Sequence, residues 1–143
     1  MSNVIVLVTG SRSITDETKI WEKLDAFRIS ILPNQIIGLV EGDAEGVDKI
    51  CKRWAISQGI PTHTVAATKE QWEEHGKKAG IMRNVEMFNY AKDTCDLKDA
   101  LLCSIAFWDG SSTGTQHMIN SIKKSGYYID VHLMGKPKTK RLL

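Results

Sequence analysis

A chain of 143 residues with 42% hydrophobic and 25% charged content suits a single domain with one continuous core, and excludes a disordered polymer. A formal net charge of +2 carries no bulk signal for nucleic acid, although Lys136, Lys138, Lys140 and Arg141 crowd the C-terminal end. The expected organisation is one domain over residues 1–135 and a frayed basic tail over 136–143.

The three cysteines, at 51, 95 and 103, form no C-x-x-C pair and read as reduced thiols of a cytoplasmic protein. No basic n-region or cleavage site precedes the first apolar run, and no stretch approaches the roughly 18–20 apolar residues of a membrane helix.

Residues 4–8 form a short run rich in β-branched side chains, closed by Thr9-Gly10, which predicts a strand buried on both faces. Ile20, Trp21, Leu24, Phe27 and Ile31 then fall on one stripe of a helix that Asp16 is placed to cap and Pro33-Asn34 to stop. Residues 36–40 predict a second strand, followed by a helix striped by Val47, Ile50, Cys51, Trp54 and Ala55 and ended by Gly59. A third strand is expected over 62–66. Thr68 and Gln71 have capping-box spacing for a short helix carrying Trp72. His75-Gly76 and Gly80 are expected to interrupt the chain before a helix over 81–92 with Val85, Phe88 and Ala91 or Lys92 along one side.

Residues 101–108 are the longest apolar run and predict another central strand. Thr115, Met118, Ile119 and Ile122 stripe the next helix, Gly126 ends it, and alternation from Ile129 to Met134 suits an edge strand. Strands separated by helices imply an α/β, Rossmann-like three-layer sandwich: a central, mostly parallel sheet of about five strands with helices on both faces. Such sheets bind ligands beyond the carboxyl ends of their strands.

Three strands end there in glycine-bearing loops: Gly10-Ser11-Arg12, Gly42-Asp43-Ala44-Glu45-Gly46 and Gly110-Ser111-Ser112-Thr113-Gly114-Thr115. Glycine permits close backbone approach, and free amides at a following helix N-terminus hold anionic oxygens. Any one such loop is equally a tight turn; three together favour a binding site. Neither G-x-x-x-x-G-K-[ST] nor G-x-G-x-x-G is present, which disfavours the familiar triphosphate and dinucleotide routes. Phosphate is expected first on Ser112, Thr113, Gly114 and Thr115, with Arg12 and Arg83 as forked cationic partners. Asp48 and Asp43 are candidates for ribose hydroxyls or base amines, whereas Glu45 is expected to cap the helix that follows. Trp72 and Trp108, beside loops, could stack a base or belong to the core. The four histidines lie far apart and no metal or other cofactor is expected; a Ser-His-Asp triad has no supporting spacing.

In this order and spacing, VTGSRSITD, EGDAEGVDKICKRWA, HGKKAGIMRNVEM and AFWDGSSTGTQHMI resemble the YspA-related branch of the SLOG superfamily, over roughly residues 4–134. The resemblance implies a Rossmann-like domain for nucleotides or nucleotide-derived signals, common in bacteria and their phages. It also implies a relation to the Lonely Guy phosphoribohydrolases and to DprA. Arg83-Asn84 followed by Met87 looks like the arginine-bearing helix at the Lonely Guy active site. The 110–115 loop looks like their phosphate loop, but Gln116 and His117 stand where those enzymes place a catalytic glutamate.

Three functions are expected on this basis. The first is binding of a nucleotide-derived molecule, for sensing or sequestering, on Gly10, Ser11, Arg12, Gly42, Asp43, Gly46, Asp48, Arg83, Asn84 and the 110–115 loop. The second is hydrolysis of nucleotide N-glycosidic bonds, with Arg83 catalytic and Asp48, Glu86 or Asp109 replacing the glutamate. The third is single-stranded DNA binding in the manner of DprA. The superfamily resemblance and the apolar helical faces further imply a homodimer.

Overall fold

The computed structural model describes residues 1–135; the basic tail at 136–143 lies outside them. The first strand, β1 (Asn3–Gly10), is buried along nearly its whole length because its alternate side chains feed two different cores. Val4, Val6 and Val8 face α1 (Glu17–Ser30) and α2 (Val47–Ser57), meeting Ile20, Leu24, Val47, Ile50 and Trp54. Ile5 and Leu7 face the opposite layer, α4 (Lys78–Lys98) and α5 (Thr113–Lys124), through Met87, Ala91, Met118 and Ile122.

The sheet is completed by β2 (Gln35–Glu41), β3 (Thr62–Thr64), β4 (Leu101–Trp108) and β5 (Ile129–Leu133), in the order β3-β2-β1-β4-β5 and parallel throughout. With helices on both faces this is the Rossmann-like α/β sandwich expected. Chain order runs outward in both directions from β1, so the topological switch lies between β1 and β4, the crevice where doubly wound sheets bind ligands.

Local signals read from the sequence reappear as caps. Asp16 accepts a hydrogen bond from the Lys19 amide at 3.1 Å at the start of α1. Thr68 and Gln71 close a reciprocal capping box at the start of α3 (Lys69–His75).

Several element boundaries differ from expectation, α4 among them at both ends, since it runs on to Lys98. β3 ends at Thr64 rather than at residue 66, although the Val65 amide still reaches the Glu41 carbonyl at 2.8 Å. Ile31 stands outside α1 as its C-cap. α4 begins at Lys78 and runs straight through Gly80. The modest helical cost of a glycine, about 1 kcal/mol, is outweighed by a buried face of Ala79, Asn84, Met87, Phe88, Ala91 and Cys95. That face is rotated from the expected stripe, and Val85 is 48% exposed. Phe88 and Ala91 belong to both registers, so periodicity alone does not separate them.

Gly10 and Gly46 let the chain after β1 approach the start of α2. A Cβ on Gly10 would lie 2.5 Å from the Val47 side chain, and one on Gly46 would lie 2.7 Å from the Arg12 carbonyl oxygen. Gly46 also holds φ of 82° and ψ of −122° as the N-cap of α2, a conformation closed to other residues. Gly59 has φ of 71° but open space around it. Gly46→Ala is therefore expected to destabilise the fold by about 3 kcal/mol or more, combining strain with a backbone clash. Gly59→Ala is expected to cost only about 1 kcal/mol. Urea denaturation of the two variants beside the parent protein checks the difference.

Candidate functional site

The C-terminal ends of β1 and β4 open on a cleft of about 600 Å³, a volume ordinary for a small-molecule site. Gly10, Arg12, Asp48, Arg83, Asn84, Ser112, Thr113, Gly114 and Thr115 all line it. A recess of about 200 Å³ adjoins it, takes in Gly42 and Asp43, and shares Arg12, Ala44, Trp72 and Arg83 with the larger space.

Ser11, Gly46, Gly110 and Ser111, read as ligand-contacting in the sequence, line neither cavity. Each has a bracing position instead. Ser11 is buried, its amide donating to the Phe107 carbonyl and its hydroxyl accepting from the Asp109 amide, both at 3.0 Å. Gly46 abuts the carbonyls of Arg12 and Ile14. Gly110 turns the chain at φ of 85°, and the Ser111 amide donates to Asp109 at 2.9 Å. Glu45 does not cap α2; it pairs with Lys49 at 2.8 Å on the exposed surface.

At the cleft, α5 begins with Ser112 as an N-cap that makes no side-chain capping bond. The first amides of a helix have no partner within it, and the helix dipole adds positive potential there. Ser112 and Thr115 hydroxyls lie 3.3 Å apart beside those amides, and Asn84 steadies the turn by donating to the Gly114 carbonyl at 3.2 Å. Thr115 and Asn84 are buried, so the arrangement is held from beneath. Such a terminus suits an anion.

Asp109 lies beside it but has its oxygens engaged. One accepts from the amides of Ser111 and Ser112 at 2.9 and 2.7 Å, the other from the Ser13 hydroxyl at 2.6 Å. The Ser13 hydroxyl bond, with those amides, holds its pKa down at about 2. Asp109 thus ties the β1 loop to the β4 loop. Ser13 escapes notice in the sequence because no local pattern marks a partner 96 positions away.

Arg83 donates to the Gly42 carbonyl at 3.1 Å and to Asn84 Oδ1 at 3.2 Å. Gly42 permits this approach, since a Cβ there would lie 2.9 Å from Arg83 Nε. Asp48 Oδ2 accepts from the Gly42 and Ala44 amides, both at 3.1 Å, and so folds the loop after β2 around itself. Glu41, fully buried, accepts from the Asp43 amide at 2.7 Å and from the Thr64 hydroxyl. Its signal in the sequence is a carboxylate closing an apolar strand.

Two buried polar atoms at this site have no hydrogen-bond partner among the described residues: Asp48 Oδ1 and Arg83 Nε. An unpartnered buried polar atom costs about 1–3 kcal/mol, and native structures keep few without a reason. Burial also pushes the Asp48 carboxyl up to about 7, against the Ala44 amide and the Arg83 charge, which draw it down. Of the tryptophans considered for stacking, Trp72 lines both cavities. Trp108 lines neither, and its indole donates to the Ser112 carbonyl at 3.0 Å. No group of three or more metal-ligating side chains occurs among the described residues, and no helix among them is long and apolar enough to cross a membrane.

The Asp48 shift has a sign that can be tested. The folded protein holds a proton on Asp48 that the unfolded chain releases near pH 4, so stability falls as pH rises from about 4 through about 7. Asp48→Asn keeps a carbonyl acceptor for the loop amides and removes the titration. It is expected to abolish that contribution, about 2–4 kcal/mol across the window, in urea denaturation curves measured from pH 4 to 8.

Comparisons with known proteins agree with this architecture. The profile of the YspA, cpYpsA-related SLOG family matches residues 4–75, from β1 to the end of α3. The "Gene 61 protein" of Mycobacterium phage D29 is 37% identical over 123 residues, covering 85% of this chain and 90% of that protein. No solved structure matches. With half its length matched by the profile and 85% of it aligned to a phage protein, the chain belongs to the YspA, cpYpsA-related SLOG family.

Proposed function

We propose that this protein binds a nucleotide or nucleotide-derived molecule in the cleft beyond β1 and β4, sensing or sequestering it. Family membership points to a nucleotide-ligand-binding domain. The observation that carries the finer reading is the uncapped N-terminus of α5, open to a cleft that also receives Arg12 and Arg83. A phosphate there accepts from helix amides, from the Ser112 and Thr115 hydroxyls and from two guanidinium groups. Asp48 Oδ1 then takes a ribose hydroxyl or base amine, a donor that satisfies it.

One observation favours a second reading, N-glycosidic hydrolysis. Asp48 combines a carboxyl pushed up to about 7 with a free oxygen at the cleft, as general acid–base work on an attacking water requires. Of the other carboxylates considered, Asp109 is engaged in bracing its loop, and Glu86 is exposed and lines neither cavity. A homodimer is also part of the proposal, through the exposed Met82 and Val85 of α4, and light scattering reads it directly.

Calorimetric titration with nucleoside monophosphates, beside mass spectrometry of small molecules released on denaturing the purified protein, tests the binding reading. Arg12→Ala and Arg83→Met are each expected to weaken binding roughly 10- to 100-fold, the scale of a lost charge-assisted contact. Absence of both released and titrated nucleotide would refute the site. Accumulation of free base and ribose phosphate, abolished in Asp48→Asn, would establish the hydrolase instead.

A further inference from the structure

The two sides of the cleft differ in chemistry. Its deep side is polar and buried, formed by Asp48, Asn84 and Thr115, whereas its rim presents Trp72 and Ile81, 36% and 41% exposed. Trp72 stands on α3, a seven-residue helix with no buried residue of its own. The far edge of its ring rests against α4 at Gly80, where an added Cβ would come within 3.3 Å. The ring therefore packs at one edge on the α4 backbone while remaining open to both cavities. Arg12 sits over it, the guanidinium carbon 5.8 Å from the ring centroid. Arg12 pairs with no carboxylate among the described residues, so this exposed cation–π contact, one of the weaker kind, is what parks it.

We propose that Trp72 is the stacking platform for the heteroaromatic base of the ligand. The base takes the ring face that Arg12 covers, and Arg12 turns to the phosphate at the start of α5. The inference rests on the nucleotide reading above and adds to it the group that takes the base, and with it a preference for a phosphate joined to a planar base over a sugar phosphate alone. Stacking exchanges a weak contact for a stronger one, since a base on an aromatic side chain contributes roughly 5- to 100-fold in affinity. It also releases a cation for the anion that arrives with the base, so the two ends of the ligand assist each other.

The test compares adenosine 5′-monophosphate with ribose 5-phosphate, which carries the same phosphate without a base, by calorimetric titration. The parent protein is expected to prefer the nucleotide roughly 5- to 100-fold. Trp72→Phe is expected to keep most of that preference. Trp72→Leu, which retains apolar packing against Gly80, is expected to lose it while binding ribose 5-phosphate at least as well as the parent, because Arg12 is no longer parked. Nucleotide is also expected to quench tryptophan emission in the parent and not in Trp72→Phe. Equal affinity for the two compounds in the parent, or a preference that survives in Trp72→Leu, overturns the stacking role and leaves the phosphate site standing. If neither compound binds, the phosphate reading falls and the inference with it.

Discussion

The close approach between the segment after β1 and the first turn of α2 governs the layout of the whole sheet edge. Gly10 admits Val47, and Gly46 admits the carbonyls of Arg12 and Ile14, so two loops that would otherwise splay apart lie side by side. That contact sets where Arg12 leaves the backbone and where the 42–46 turn begins. Asp48 then gathers the Gly42 and Ala44 amides, and Gly42 in turn receives Arg83 from α4. A cation from one helical layer and a carboxylate from the other thus meet at the same turn.

The site so formed combines rigid and unsatisfied parts. Asp109, Ser11, Ser13 and Asn84 direct their hydrogen bonds into holding loops together. Asp48 Oδ1 and Arg83 Nε have none to give or receive among the described residues. A scaffold that fixes its loops with one set of polar groups and leaves a second set unpartnered carries a local cost to stability. Preorganisation of this kind reduces what a ligand must reorder on binding.

What is legible in the sequence is chiefly what short-range physics decides. The run from Val4 to Val8, the Asp16 and Thr68 caps and the Thr115–Ile122 stripe depend on neighbours within a few positions, and the structure has each of them as expected. The register of α4 differs from expectation because Phe88 and Ala91 fit two faces and a glycine resembles a break. At the site, Arg12, Arg83, Asn84 and residues 112–115 do converge on one cleft. Ser11, Gly46, Gly110 and Ser111 do not reach it. Ser11 and Gly46 answer to groups on other loops, and Gly110 and Ser111 shape the turn that Asp109 braces, none of which periodicity or composition reveals. The partition of Trp72 from Trp108 likewise depends on contacts made only in the folded chain, one indole being tied to a carbonyl and the other left at a rim.

The position of α3 has an evolutionary consequence. None of its residues enters either core; its capping box is internal to the helix, and the Trp72 ring meets α4 at Gly80. Substitutions along this helix are therefore largely decoupled from the stability of the sheet and its four long helices. A lineage can rewrite α3, and with it the wall of the cleft, without passing through an unfolded ancestor. The shape and polarity of that wall can diverge while the parts beneath stay constant.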